Sequence, residues 1–143
     1  MSISIAVIMD SISSINIAKD STFAMLLEAS KRNWNIFYME QRDLFTKNGR
    51  AFSTARPIQV KEDLNDWYAL AKSETMPLDE FDIILMRKDP PFDIDYIYTT
   101  FLLDQPAEHG VLIVNNPKSL RNTNEKLIIS LFPDLCVPTI VSC

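Results

Sequence analysis

Four short apolar runs punctuate the chain: Ile3 to Met9, Ile36 to Met39, Phe81 to Met86 and Val111 to Val114. They are continuous rather than alternating, as strands covered on both faces require. Between them the apolar spacing is helical. Phe23, Met25, Leu26, Leu27 and Ala29 predict a helix over residues 21–32, with Lys31 and Arg32 suiting the negative end of its dipole and Asn33 as a left-handed stop. Ile94, Ile97, Tyr98, Phe101 and Leu102 follow the i, i+3, i+4, i+7, i+8 pattern of an amphipathic helix, and Asp93 is placed to cap it. A third helix is expected from Asn122 as cap, with Glu125 at its third position, Leu127, Ile128 and Leu131 facing inward, and Pro133 stopping the run. Ala51 to Val60 reads as an excursion or small hairpin, followed by a helix around Leu64 to Lys72. Trp34, Trp67 and Tyr68 are expected to pack against the sheet. Cys136 to Cys143 reads as one more extended segment, and with nothing after it as cover a piece of a larger chain is expected. Strand alternating with helix predicts an α/β fold, an open and mostly parallel sheet with helices on both faces and right-handed crossovers.

Composition narrows what such a sheet does. The 143 residues suffice for one domain with a real core, and 47% hydrophobic with 23% charged residues is ordinary for a soluble globular protein. A net charge of -5 argues against a large nucleic-acid-binding surface, while a few placed Arg or Lys residues can still hold a small anion. The start, Met1-Ser2-Ile3-Ser4-Ile5, lacks the basic region and cleavage site of a signal peptide, and no apolar run approaches the roughly 20 residues that span a bilayer. Cys136 and Cys143 form no Cys-x-x-Cys motif and His109 is their one possible imidazole partner, so neither a disulfide framework nor a zinc site is expected. Both thiols are read as reduced and the protein as cytoplasmic. Gly49 and Gly110 are the only glycines, too few for a Walker loop or a dinucleotide-binding turn. Any nucleotide phosphates must be held mostly by something else.

In open α/β sheets ligands bind beyond the carboxyl ends of the strands, and three polar clusters fall there. The first runs from Asp10 through Ser11, Ser13, Ser14 and Asn16 to Lys19, Asp20, Ser21 and Thr22. Hydroxyls, amides and a helix N-terminus gathered there suit a polar or anionic group; the alternative is an ordinary turn capped by Asp20 or Ser21. The second is Arg87-Lys88-Asp89-Pro90-Pro91-Phe92-Asp93, where two prolines make the exit from the strand a rigid platform. Arg87 suits bidentate binding of a carboxylate, the alternative being a pairing with Asp89 or Asp93. The third, Asn115 to Asn122, leads into the segment carrying Lys126, a candidate cation whose plainer reading is a solvated lysine on a helix face. His109, before Gly110, reads as a helix-end or solvent-exposed residue. No serine or cysteine has a nearby His and acid to form an evident nucleophilic triad.

These clusters carry a resemblance. MDSISSINIAKDSTFAMLLEA (from Met9), ILMRKDPPFD (Ile84 to Asp93) and VLIVNNPKSLRNTNEKL (Val111 to Leu127), with Tyr38-Met39-Glu40 and Asp43-Leu44 between them, resemble the amino-terminal region of prokaryotic glutathione synthetase over essentially the whole chain and in order. The chain departs from the family pattern at Ser11, where proline is usual, at Thr22, in place of a second serine, and at Asn122-Thr123, in place of an Asp-Cys pair.

The resemblance implies a Rossmann-like preATP-grasp domain over residues 1–121, with 122–143 as the first helix and linker strand of a truncated ATP-grasp domain. It implies an enzyme that joins γ-glutamylcysteine to glycine through an acyl phosphate, using ATP and Mg2+, whose ligands lie mostly outside this chain. Arg87 matches the arginine of the family's active-site RKDPPFD motif, and Lys126 matches the lysine of its NEKL motif, implicated in holding nucleotide phosphates. Asp10, Asn16, Asp20 and Ser21 match the substrate-side loop, and Asp89 joins them as a substrate-binding candidate. The partners implied are small-molecule substrates and further copies of the chain in a tetramer, with neither nucleic acid nor membrane. The 143-residue chain alone is expected to bind no cofactor and to be inactive. The alternatives are a non-catalytic binding or oligomerisation module on the same fold and, more weakly supported, a response-regulator-like domain suggested by Asp10.

Overall fold

The computed structural model describes residues 2–124 and 126–142. Strand β1 (Ser4–Ile8) leads through α1 (Ser21–Lys31) to β2 (Asn35–Met39). A hairpin of β3 (Leu44–Lys47) and β4 (Arg50–Val60) follows, then the short strands β5 (Tyr68–Leu70) and β6 (Glu74–Pro77). Strand β7 (Ile83–Met86), α2 (Ile94–Glu108), β8 (Leu112–Val114) and α3 (Pro117–Asn122) complete the order. The heart of the sheet is parallel, β2-β1-β7-β8, with Ile5 paired to both Ile36 and Ile83 and Ile84 paired to Ile113. Beyond β2 the long strand β4 turns antiparallel and collects β3, β5 and β6. This is the open α/β sheet the alternation of runs predicts, with the Rossmann-like character the resemblance implies.

The continuous apolar runs are explained by the two layers. On β1, Ala6 and Ile8 join a cluster with Ile84, Met86, Ile113 and, from α2, Leu103. The alternate residues Ile5, Val7 and Met9 join Phe23, Leu26 and Ala29 of α1 on the other face. From Ile5 to Ile8 each residue is therefore covered whichever way it points, and full burial of a side chain such as Phe23 or Leu26 contributes about 1.5–3 kcal/mol. Strand β8 departs from the expected two-sided cover, since Leu112 and Val114 are exposed and only Ile113 is buried. Trp34, Trp67 and Tyr68 pack against the α1-side cluster, as expected.

Helix α1 starts where Asp20 Oδ1 accepts the Phe23 N–H at 2.7 Å. It ends in a Schellman motif: Trp34 N bonds Ala29 O, Asn33 N bonds Ser30 O, and Asn33 takes φ 56°. Asp93 caps α2 by accepting from the Tyr96 N–H at 2.9 Å. Asn48 (φ 52°) and Gly49 (φ 77°) form the left-handed pair of a tight hairpin turn between β3 and β4.

Three expectations are corrected. The apolar stripe assigned to α2 is not its buried face: Ile94, Tyr98 and Phe101 are 57%, 59% and 55% exposed, while Thr99, Thr100, Leu103 and Pro106 are buried. The threonines can turn inward because their hydroxyls return to the helix backbone, Thr99 Oγ1 to Asp95 O and Thr100 Oγ1 to Ile97 O. The helix around Leu64 to Lys72 is instead a loop and strand β5, because β4 offers an edge on which Leu70 pairs with Ile58 and Tyr68 with Val60. The third helix begins earlier, at Pro117 with Asn116 as cap, and stops at Asn122, where its start was expected. Asn124 Oδ1 then accepts from both the Lys126 and Leu127 N–H groups, a local turn that takes the donors a continuing helix would use. Single 3-10 turns follow at Ile128–Leu131 and Pro133–Leu135, with Leu127 and Leu131 exposed rather than facing inward. Residues 136–142 pair with no strand among the described residues. Glu125, expected within that helix, lies outside the described residues.

Candidate functional site

The chain leaves β1 for one edge of the parallel sheet and returns to place β7 on the other side of β1. The carboxyl ends of β1 and β7 thus flank a topological switch point, the place where open α/β sheets open a crevice. Asp10 and Arg87 stand at its two sides.

Arg87 extends the β7 ladder, its backbone N–H donating to Ile8 O at 2.7 Å. Its guanidinium reaches the start of α1, Nε donating to Thr22 Oγ1 at 3.0 Å and Nη2 to Ser21 Oγ at 2.9 Å. The open alternative of a pairing with Asp89 or Asp93 is therefore not the arrangement found. Among the described residues its ion-pair partner is no carboxylate; two hydroxyls aim the fork and leave its charge uncompensated. Asp20, one residue before Ser21, is occupied as the helix cap. Asn16 is exposed, and its Oδ1 accepts from the Ala18 N–H at 3.2 Å, shaping the turn that delivers Asp20.

The adjacent Lys88 goes the other way. Its Nζ lies 3.0 Å from Asp10 Oδ1 and donates to Asp89 O at 2.6 Å. Asp10 Oδ2 accepts from the Asp89 N–H at 3.2 Å, so one carboxylate ties the loop after β1 to the loop after β7. Asp89 itself is exposed. Arg87 with Ser21 and Thr22 forms one group, with Asp20 capping the helix beside it, and Asp10 with Lys88 and Asp89 forms a second.

Lys126 joins neither group directly. It lies in the turn after α3 rather than inside a helix, exposed, and lines a cavity of about 730 Å³. Lys88, the Pro90–Phe92 segment and Tyr96 form one wall of that cavity, and Asn115, Asn116 and Ser119 line it from the end of β8 and the start of α3. Burial pushes the Tyr96 phenol above its ordinary value, with nearby Lys88 pulling the other way. A second cavity of about 480 Å³ opens between the ends of β1 and β2 and the start of α2, and Lys88 and Asp10 line it too. His109 caps the carboxyl end of α2, and its Nδ1 lies 3.3 Å from Asp79 Oδ2, away from both groups.

Residue-type reasoning singled out Arg87 and Lys126 but gave Lys88 no separate role, although it borders both cavities. The signal was available: consecutive residues leaving a strand point to opposite faces, so Arg87 and Lys88 cannot serve one pocket. Tyr38, fully buried on β2, was also missed. Burial, with its hydrogen bond to Glu40, pushes its phenol up to about 12.

Together these groups provide cations at a switch point and a cavity with amide and ammonium donors, an arrangement that suits anionic small molecules. No group of three His, Cys, Asp or Glu residues able to hold a metal ion occurs among the described residues. None of the described helices is long and apolar enough to cross a membrane.

Residues 3–121 match the model of the prokaryotic glutathione synthetase N-terminal domain. The glutathione synthetase of Vibrio vulnificus (strain YJ016) is 52% identical over 142 residues, 99% of this chain and 45% of its own length. That of Pseudomonas putida is 49% identical and that of Buchnera aphidicola 51% identical, each over 142 residues and 99% of this chain. The chain thus spans 45% and 44% of those two relatives, less than half of either. With its match running from the first strand to α3, the chain belongs to the prokaryotic glutathione synthetase N-terminal domain family.

Proposed function

We propose that this chain supplies the substrate-side wall of an ATP-dependent ligase that joins γ-glutamylcysteine to glycine. In that reaction the cysteinyl carboxylate takes the γ-phosphoryl group of ATP, ADP departs, and the glycine amine displaces phosphate from the acyl phosphate to form the amide. The observation that carries the reading is Arg87, a guanidinium at the switch point held by the Ser21 and Thr22 hydroxyls. A cation held this way is free to meet a carboxylate or a transferring phosphoryl group, where preorganised charge contributes most. Asp10, Asn16, Asp20, Ser21 and Asp89 shape the substrate side in this reading. Asp10 and Asp20 act through the loop and the helix start they fix.

For the nucleotide, the donor set of the larger cavity fits a phosphate chain: Lys88 and Lys126 as point charges, the Asn115 and Asn116 amides beside them, and Tyr96 and Phe92 as apolar walls. ATP supplies the phosphoryl group there. No group of three His, Cys, Asp or Glu residues gathers among the described residues, and no role in metal binding is assigned to them.

The test is Arg87→Ala in the full-length ligase carrying this segment, followed by ATP-dependent phosphate release. The expected loss in kcat/KM is about 100-fold or more, with the melting temperature held. Turnover within threefold of the parent, or a loss matched by unfolding, would refute the assignment.

A further inference from the structure

The loop after β1, which presents Asp10, Ser11, Ser13 and Ser14, pivots on Ile12. Its side chain is buried at 1% exposure, and both of its backbone polar groups are held by side chains from distant elements. The Ile12 N–H donates to Tyr38 Oη at 3.3 Å, and Ile12 O accepts from Trp67 Nε1 at 3.1 Å. Tyr38 stands on β2 and Trp67 just before β5, in the antiparallel extension of the sheet.

The direction of the first bond is set by chemistry. Tyr38 Oη donates its proton to Glu40 Oε1 at 2.8 Å, because a carboxylate only accepts. The lone pairs of Oη are thereby turned to the Ile12 N–H. Glu40 is held in turn by Arg42, at 3.0 Å from its other oxygen. A relay of side chains thus fixes one peptide of a loop whose flanking residues carry the polar groups.

We infer that Tyr38 and Trp67 are positioning residues for the substrate-side loop: they hold Ile12 so that Asp10 and the serines around it keep the geometry that binds the dipeptide. The inference rests on the ligase reading given above. It also assigns a purpose to the extension built on β4, which reaches the switch point through Trp67.

The experiment uses Tyr38→Phe and Trp67→Phe in the full-length ligase, each keeping an aromatic ring and removing one hydrogen bond to Ile12, the second with a smaller ring so that its melting temperature is measured beside it. Each is expected to raise KM for γ-glutamylcysteine about tenfold, the equivalent of one buried polar group left unpaired. KM for ATP and kcat should stay within twofold. The double variant should raise KM by less than the product of the two singles, since both release the same residue. An unchanged KM for the dipeptide in both folded variants overturns the inference. So does a parallel rise in both KM values that tracks lost melting temperature. A parent enzyme with no ligase turnover sinks the ligase reading and this inference with it, whereas turnover with an unmoved KM sinks only the latter.

Discussion

Arg121 pins α3 onto α2, and with α3 one side of the larger cavity. Its Nη2 lies 2.8 Å from Asp104 Oδ2, its Nη1 donates to Thr100 Oγ1 at 3.2 Å, and its guanidinium sits 4.2 Å from the Phe101 ring centroid. The side chains of Arg121 and Asp104 are only 13% and 23% exposed, against 59% and 54% for the surface pair Arg32–Glu28. The surface pair is worth about 0.3–0.5 kcal/mol as an i, i+4 helix pair. The Arg121 contacts are worth more: about 1.5–3 kcal/mol for a charged hydrogen bond shielded from water and about 0.5–1 for the cation over the ring. Thr100 loses less, because its hydroxyl keeps Ile97 O as a partner. Discounting for the residual exposure of Asp104, Arg121→Ala should cost about 2–3 kcal/mol. In a chain of this length that lowers the melting temperature by roughly 6–12 °C. Urea unfolding followed by circular dichroism measures it, and Arg121→Lys, which keeps charge but loses the fork and the stacking, should fall between. A double-mutant cycle with Asp104→Asn should give a coupling of about 1 kcal/mol or more. A cost below about 0.5 kcal/mol for Arg121→Ala would refute the reasoning, placing this pair with the solvated ones.

Two further outcomes follow from the packing of α2 and of Asp79. Leu103→Ala should destabilise by about 2–5 kcal/mol and Tyr98→Ser by at most about 0.5, because Leu103 is fully buried and Tyr98 is exposed; similar costs by chemical denaturation would contradict the register of α2. Asp79 accepts a forked hydrogen bond from Arg50, which holds its carboxyl below the ordinary value; burial opposes the shift and His109 adds to it. A carboxyl depressed on folding contributes stability that is present above its unfolded pKa of about 3.9 and lost as pH falls through the folded value. Asp79→Asn should therefore flatten the acid limb of the stability curve, and an unchanged slope below pH 4 in a pH series of urea melts would exclude the ion pair as its source.

The central strands β1, β2 and β7 were legible because burial on both faces leaves few polar positions in them, whereas β8 was legible from its apolar run although Leu112 and Val114 are exposed. The cap at Asp20 and the stop at Asn33 were legible because each depends on local chemistry. The register of α2 was not. Counting apolar residues selects Ile94, Tyr98 and Phe101, whereas the sheet takes the face whose threonines satisfy their own hydroxyls. The hairpin carried a local signal that composition passed over, since Asn48-Gly49 is the dipeptide a two-residue turn demands. Strands β5 and β6 have three and four residues and exist only because β4 is long enough to pair with both. No local window contains that information. The same limit applies at the site: nearby carboxylates suggested a partner for Arg87, but the hydroxyls that hold it lie 65 and 66 positions away.

That distance explains why two cations stand side by side after β7. Along β7, Ile84 and Met86 face the α2 layer and Leu85 the α1 layer. The alternation continues past the end of the strand, so Arg87 turns to the N-terminus of α1 and Lys88 to Asp10 and the cavities beside α2. One two-residue step thus sends a planar, forked donor to one face of the crevice and a compact point charge to the other. The two faces ask for different things. Beside α1, two hydroxyls 2.9 and 3.0 Å from the guanidinium match the fixed geometry of a fork. Beside α2, a carboxylate and a backbone carbonyl converge on a single nitrogen, which a lysine on a flexible stem reaches without constraint. The order Arg-Lys is therefore not interchangeable with Lys-Arg, because exchanging the two would offer a point charge where a fork is aimed and a fork where one nitrogen is held.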